Sequence, residues 1–428
     1  MARSLTKSSF RRNNASQAED VLRFPLEENS FFKKVVIMKK TLAAVAVLGA
    51  FAGSALAADV TLYGRVNAGL NYTNTETDYN GAAGEVDTDK DSFALKSGDY
   101  TGSRWGIKGS EQVSENLTVG FQLENGFNVD DGSFGDDDRL FNREARVYAK
   151  TQFGEFGFGR MGGLDSGLGS YDMLGAYSAW GTGWGSNSGK MSLYFMGTSS
   201  RYDNMITYKA PEFAGLTFEA QVSLKQDSAS EAGLGTESEH TANRYYAAGL
   251  RGNYGDFQGA LIYSVQDYAC FDTAEKYNDD DGQTVTAWGS YDFGVAKVSL
   301  AGQYFDNVKQ VRSVLDEETG KYVADFDDNY GMTGYGIMLA AQAPVAGGNL
   351  YGHVGYADAE QSMAPAGEKE DSYEAWGVSV GYDYALSKRT KLYAAASYTQ
   401  VTTNEEEANS KDKDVTTTEV MAGMVHYF

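Results

Sequence analysis

Trp376-Gly377-Val378-Ser379-Val380-Gly381-Tyr382-Asp383-Tyr384 decides the fold. Trp376, Val378, Val380, Tyr382 and Tyr384 fall on one parity, and Gly377, Ser379, Gly381 and Asp383 fall on the other. A period of two marks a strand with one apolar and one polar face. The same pattern recurs along the chain. Leu117, Val119, Phe121 and Leu123 oppose Thr118, Gln122 and Glu124. Leu216, Phe218, Ala220, Val222 and Leu224 oppose Thr217, Glu219, Gln221 and Ser223. Val298, Leu300 and Tyr304 oppose Lys297, Ser299 and Gln303.

The connections alternate as regularly as the side chains. Short turns fall near Gln112–Asn116, Gln152–Glu155, Pro211–Gly215, Tyr254–Phe257, Tyr291–Gly294, Pro344–Asn349 and Ser387–Thr390. Between them lie long acidic or glycine-rich segments near 74–99, 129–138, 162–200, 225–243, 267–282, 306–330, 359–372 and 402–414. Seven turns and eight loops join about sixteen antiparallel strands, with both ends of the array on the short-turn side. A soluble β-sandwich would share the alternation but not this rhythm. Nor would it explain aromatics at strand ends: Tyr63, Tyr72, Tyr208, Tyr254, Tyr263, Tyr291, Tyr382, Tyr384 and Phe428 fall where a membrane girdle would sit. An all-β transmembrane barrel satisfies both patterns: its apolar face meets lipid, its polar face meets a wet lumen, and closure leaves no open edge.

Composition agrees. The 428 residues include 50 Gly, 29 Tyr and 22 Phe but only 4 Pro, and the mean hydropathy is −0.42. Beyond the first sixty residues no apolar run is long enough for a membrane helix. A formal charge of −23 argues against nucleic acid as a partner. One cysteine, Cys270, permits no intrachain disulfide. His240, His353 and His426 are scattered, and no Gly-x-Ser-x-Gly is present, so the nucleophile-and-base pairing of a hydrolase has no candidate. The chain is therefore not expected to be an enzyme. No cofactor is expected either. Gly162-Gly163 and Gly167-x-Gly169 are not followed by the Lys-Ser/Thr of a phosphate loop. The acid runs Asp136–Asp138, Asp279–Asp281, Asp316-Glu317-Glu318 and Glu405–Glu407 lie in loops and read as a solvated anionic surface. Bridging to lipopolysaccharide through divalent ions is the sharper alternative. No twelve-residue calcium loop is present, and no resident metal is expected.

Residues Met38–Ala57 read as a signal peptide: Lys39 and Lys40, an apolar stretch from Thr41 to Gly53, then Ala55-Leu56-Ala57. Cleavage there would start the mature barrel at Ala58, giving a domain of residues 58–428 with 27 basic and 55 acidic residues, a net −28. Residues 1–37 precede an intact signal and read as an upstream extension from a mis-called start.

Several segments, taken in order, resemble the Gram-negative porins of the β-proteobacterial type. They are Val60-Thr61-Leu62-Tyr63-Gly64-Arg65-Val66, Ser103-Arg104-Trp105-Gly106-Ile107-Lys108-Gly109-Ser110-Glu111, and Phe121-Gln122-Leu123-Glu124-Asn125-Gly126-Phe127. Phe141-Asn142-Arg143-Glu144-Ala145, Phe156-Gly157-Phe158-Gly159-Arg160, Arg201-Tyr202-Asp203-Asn204 and the terminal His426-Tyr427-Phe428 complete the set. The resemblance spans residues 58–428. It implies a sixteen-stranded barrel of the cell outer membrane, a homotrimer, and a long third loop (162–200) folded into the lumen. It also implies contact with outer-membrane lipid and lipopolysaccharide, and recognition of Phe428 by the barrel-assembly machinery. The expected function is passive diffusion of ions and small hydrophilic solutes, with a substrate-specific channel as the alternative.

The resemblance places eyelet arginines at Arg104, Arg143 and Arg201. Strand parity adds Arg65, which shares a face with Tyr63 and Asn67 against Leu62, Val66 and Leu70. Arg104 and Lys108 oppose Trp105 and Ile107, and Arg201 and Lys209 oppose Ile206 and Tyr208. A charge on the lipid face costs roughly 2–4 kcal/mol at the midplane, so these side chains should point inward. Arg143 and Arg146 lie on opposite parities. Either a bulge re-aims the strand, or Arg146 serves instead. Against this basic wall, loop 162–200 offers only Asp165 and Asp172, and is rich in Gly, Ser and Trp. Trp180, Trp184, Leu174 and Phe195 are its candidate anchors. Glu124, Asp203 and Glu219 also point inward. Rings of like charge set ion selectivity where the lumen is narrowest, so a modest anion preference is expected.

Overall fold

The computed structural model describes residues 60–80, 86–136, 139–175, 191–228, 236–237, 242–268, 281–309, 314–316, 321–323, 331–362, 371–404 and 413–428. The signal-like stretch Met38–Ala57, residues 1–37, Trp180, Trp184, His240, Cys270 and most of the loop acid runs lie outside these residues.

The strands are β1 (Thr61–Asp78), β2 (Thr88–Ser97), β3 (Arg104–Ser114), β4 (Leu117–Gly126), β5 (Glu144–Thr151), β6 (Gly154–Gly162), β7 (Arg201–Lys209), β8 (Leu216–Ser223), β9 (Arg244–Tyr254) and β10 (Phe257–Asp267). They continue as β11 (Gly282–Asp292), β12 (Lys297–Val308), β13 (Val314–Asp316), β14 (Lys321–Val323), β15 (Met332–Val345), β16 (Gly348–Gln361), β17 (Ser372–Ala385), β18 (Thr390–Asn404) and β19 (Lys413–Tyr427). β13 and β14 pair only with each other; the other seventeen form one antiparallel sheet. β2 and β3 both pair with β1, from Ala68↔Ser97 to Thr77↔Thr88 and from Thr61↔Lys108 to Arg65↔Arg104. They are two halves of one position, so the barrel has sixteen. It closes where β1 meets β19, from Arg65↔Tyr427 to Asp78↔Asp414.

Side-chain burial follows the sequence parity. On β17, Glu374, Trp376, Val378, Val380 and Tyr384 are exposed; Tyr373, Ala375, Gly377, Ser379, Gly381 and Asp383 are buried. The exposed set is apolar except near the loop end, as a lipid-facing wall requires. Each expected turn falls between strands. Ala346 and Gly347 join β15 to β16 with φ of 49° and 83°, the left-handed pair that suits a two-residue hairpin. Among the girdle aromatics, Tyr72, Tyr254, Tyr263, Tyr291, Tyr384 and Phe428 are exposed on the outer wall. Tyr63 is a correction. Its hydroxyl donates to Glu124 at 3.1 Å and accepts from Gln122 at 2.9 Å, so it belongs to the inner face, as its parity with Arg65 required. No α-helix occurs among the described residues.

Candidate functional site

Four strand positions converge on one group of arginines. Glu124, near the end of β4, pairs with Arg143 Nε at 2.8 Å and Arg104 Nη1 at 3.4 Å. Arg104 lies within electrostatic reach of Arg143, Arg65 and Arg201, and Arg201 within reach of Arg143, Arg160, Glu124 and Glu144. Arg65 donates to Thr101 Oγ1 at 3.0 Å and stands 5.6 Å from the centroid of the Tyr427 ring. Arg201 makes no ion pair among the described residues, and its buried Nε lacks a hydrogen-bond partner there. Like charges this close repel, and each buried guanidinium has lost hydration. The group persists because Glu124 is shared and Thr101 and the Gly102 carbonyl accept from Arg65 and Arg104.

The structure explains why parity was ambiguous at Arg143, and shows an irregularity beside Arg201 that parity did not signal. Arg143 immediately precedes β5, so strand alternation does not yet govern it; its N–H still donates to the Glu124 carbonyl. Arg201 lies beyond a register slip, where Tyr202 and Met205 on β7 pair with Met161 and Gly159 on β6. Asn204, inside the slip, has φ of 52°. A bulge of this kind re-aims side chains.

Arg146 has a different position from the other four. It pairs with Glu144 at 3.1 Å and Glu155 at 3.2 Å, and its guanidinium lies between the Tyr148 and Tyr171 rings at 4.6 and 4.8 Å. Only 8% of its side chain is exposed. Tyr171 belongs to the 163–200 segment and donates to Glu155 at 2.7 Å, so Arg146 clamps the root of that segment.

Asp165 and Asp172 are placed apart from the arginine group. Asp165 is 1% exposed and accepts from Ser199, from Tyr245 at 2.7 Å and from Ser264 at 2.5 Å. Asp172 accepts the N–H groups of Leu174 at 2.7 Å and Gly175 at 2.8 Å, and its carbonyl accepts from Arg251. Burial pushes the Asp172 carboxyl above the usual range, although those two N–H groups oppose the shift. Both acids hold the segment to itself and to the wall.

Met173, Leu193 and Gly197, in the described parts of the segment, bond to inward-parity residues far round the sheet. Trp288 on β11 donates to the Met173 carbonyl at 2.8 Å, Gln303 on β12 accepts from Gly197 N at 2.9 Å, and Tyr373 on β17 donates to the Leu193 carbonyl at 3.0 Å. Tyr194 is fully buried. A Cβ on Gly355 of β16 would stand 2.5 Å from its ring; on the flanking strands Gly377 lies against its hydroxyl and Gly336 against its backbone carbonyl. Leu174 and Phe195, two of the expected anchors, are buried. Sequence reading missed Tyr171 and Tyr194; the only signal was glycine at inward positions of otherwise regular strands.

A closed sixteen-position barrel with an apolar outer and polar inner face defines a membrane channel. The family model of Gram-negative porins matches residues 43–404. An outer membrane porin protein of Bordetella pertussis is 33% identical over 378 residues, covering 84% of this chain and 94% of its own. Outer membrane porin protein 32 of Delftia acidovorans is 28% identical, with 83% and 88% covered. The fold matches a solved structure described as the anion-selective porin from Comamonas acidovorans with a TM-score of 0.60 at 23% identity, over 87% of this chain and all of that one. The chain belongs to the Gram-negative porin family. It is an outer-membrane channel for passive diffusion and not an enzyme.

Proposed function

We propose that the channel is a general diffusion pore for ions and small hydrophilic solutes, with a modest anion preference set at one constriction. Arg65, Arg104, Arg143 and Arg201 form its basic wall, and Arg146 fixes the loop that faces them. The carrying observation is the imbalance at that wall: Arg104 and Arg143 share one carboxylate, Glu124, while Arg65 and Arg201 make no ion pair among the described residues. The acids of the outer loops number more, but solvent screens them beyond about 8–10 Å. The relative described as anion-selective supports the same sign.

The described parts of the loop, residues 163–175 and 191–200, fold into the lumen and narrow it opposite the arginines. Their bonds to Trp288, Gln303 and Tyr373 support this, because those side chains share the polar parity of their strands. Asp165 and Asp172 act as the loop's anchors. The functional unit is a homotrimer, as one solved neighbour is described in trimer form. It sits among outer-membrane lipid and lipopolysaccharide, and the barrel-assembly machinery reads Phe428. Cleavage after Ala57 releases the mature chain, residues 58–428.

Planar-bilayer recording of purified trimers tests the diffusion reading. Large ohmic steps that grow in proportion to salt are expected. Conductance that saturates at low salt would favour a substrate-specific channel, the second reading.

A further inference from the structure

The second barrel position is broken. β1 runs on without interruption, but its partner leaves the ladder after Ser97 and rejoins it at Arg104, so six residues, 98–103, span a gap facing only Val66 and Asn67. The break is fully bonded. The Asn67 carbonyl accepts from Gly98 N at 3.2 Å, and Asn67 N donates to Ser103 Oγ at 3.0 Å, so β1 loses no backbone partner. The Asn67 side-chain oxygen accepts from Tyr100 N at 3.0 Å and Thr101 N at 3.3 Å; its amide donates to Tyr393 and to the Met424 carbonyl. Gly98 takes φ of 87° where the chain turns out of the ladder.

The excursion runs along the inner wall. Tyr100 donates to Asp383 Oδ2 at 2.9 Å, on the inward parity of β17, and its ring packs on Tyr393 of β18 at 5.2 Å. Tyr351 and Lys391 hold the same oxygen of Asp383 at 2.7 and 3.0 Å. From this foothold the other end of the excursion reaches the arginines. Thr101 Oγ1 accepts from Arg65 at 3.0 Å and Arg104 at 3.5 Å, and the Gly102 carbonyl accepts from Arg104 Nε at 3.0 Å. A Cβ on Gly102 would stand 3.3 Å from Arg143 Nη1.

We infer that residues 98–103 are a second inward element, a strap anchored through Tyr100 on Asp383, that positions Arg65 and Arg104 at the constriction. Thr101 and Tyr100 are positioning residues: the arginines carry the charge, and the strap aims it. Without the Thr101 hydroxyl, the one acceptor the two guanidiniums share among the described residues is gone. They then turn toward Glu124 or solvent, and the field at the narrowest point weakens. This inference rests on the arginine wall proposed above, and the test separates the two.

Reversal potentials under a KCl gradient are compared for wild type, Thr101→Val, Thr101→Ser and an Arg65→Ser/Arg104→Ser double variant. Thr101→Val is expected to cut the chloride-to-potassium permeability ratio by about a factor of two, with Thr101→Ser staying at wild type. If the double variant loses anion preference while Thr101→Val keeps it, the strap does not aim the arginines. If the double variant is unchanged, the arginine wall itself is wrong and the aiming role falls with it. The inward position is read independently. Thr101→Cys, made in a Cys270→Ser background, should lose conductance in discrete steps when an anionic methanethiosulfonate is added to the open channel. Uninterrupted current would place the strap away from the lumen and overturn the proposal. Heat-modifiable trimer on gels shows which variants have folded.

Discussion

The two halves of the barrel wall are built differently. β15 to β19 are strands of 14 or 15 residues whose ladders to one another run without a slip. β2 to β7 are strands of 8 to 11 residues, broken at 98–103 and slipped between Gln112 and Ser114 and again between Gly159 and Met161. All five candidate eyelet arginines except Arg65 lie in this irregular half. The regular half supplies surfaces: the glycine seat for Tyr194 and the carboxylate that receives Tyr100. The contrast has a physical basis. A regular strand can only alternate its side chains in and out, so it can place charge on a wall but cannot crowd several charges at one level. Breaks and bulges re-aim side chains and bring neighbouring strands' arginines together. Irregular ladder is the structural cost of a focused field.

If the halves share one lipid-facing surface, an outward charge should cost the same in each. Val354→Arg on β16 and Val147→Arg on β5, both on the exposed parity, should each lower unfolding free energy by about 2–4 kcal/mol in urea titrations of lipid-folded protein. A cheap Val147→Arg beside a costly Val354→Arg would mean the irregular half does not face lipid. Gly355→Val sharpens the role given to the regular half. The added side chain takes the space of the Tyr194 ring, so a loss of about 1–3 kcal/mol and a noisier open-channel current are expected. Quiet, wild-type traces would show that Tyr194 does not hold the loop. Glu124→Gln acts on the irregular half alone. It removes the shared counter-charge of Arg104 and Arg143 and should raise chloride preference, at a stability cost of about 1 kcal/mol. A reversal potential that stays fixed would count against the wall.

The smallest effect is expected at Asp172. Its carboxyl titrates above the usual range when folded, so the folded protein holds that proton more tightly than the unfolded chain does. Stability from this group is present at low pH and falls as pH rises from the ordinary carboxyl range through the raised value. Asp172→Asn should flatten the pH dependence of unfolding in that window. A steeper dependence in the variant would reverse the assignment.

The contrast also explains what could be read from sequence. Period-two alternation gave the strands, turns and loops of β15–β19 directly, because nothing interrupts their parity. It placed Arg65 and Arg104 inward for the same reason. It could not settle Arg143 against Arg146, because Arg143 stands before the first paired residue of β5. It gave no warning of the strap, although Gly98, Asp99, Gly102 and Ser103 are turn formers inside a strand position. It listed Tyr63 with the girdle by residue type alone, against its own parity. Asp165 and Asp172 were legible as loop acids. Their burial was not, since it depends on Tyr245, Ser264 and Arg251, which lie far away in sequence.

The central claim is that arginines from broken strands, and not the far larger acidic charge of the chain, set the pore's field. The reversal potential of wild type against Arg104→Ser/Arg201→Ser under a KCl gradient tests it most directly. A wild type of modest anion preference, and a double variant shifted clearly toward cations, is the predicted result. A strongly cation-selective wild type, or a double variant with no shift, would contradict it and assign control to the outer acidic loops.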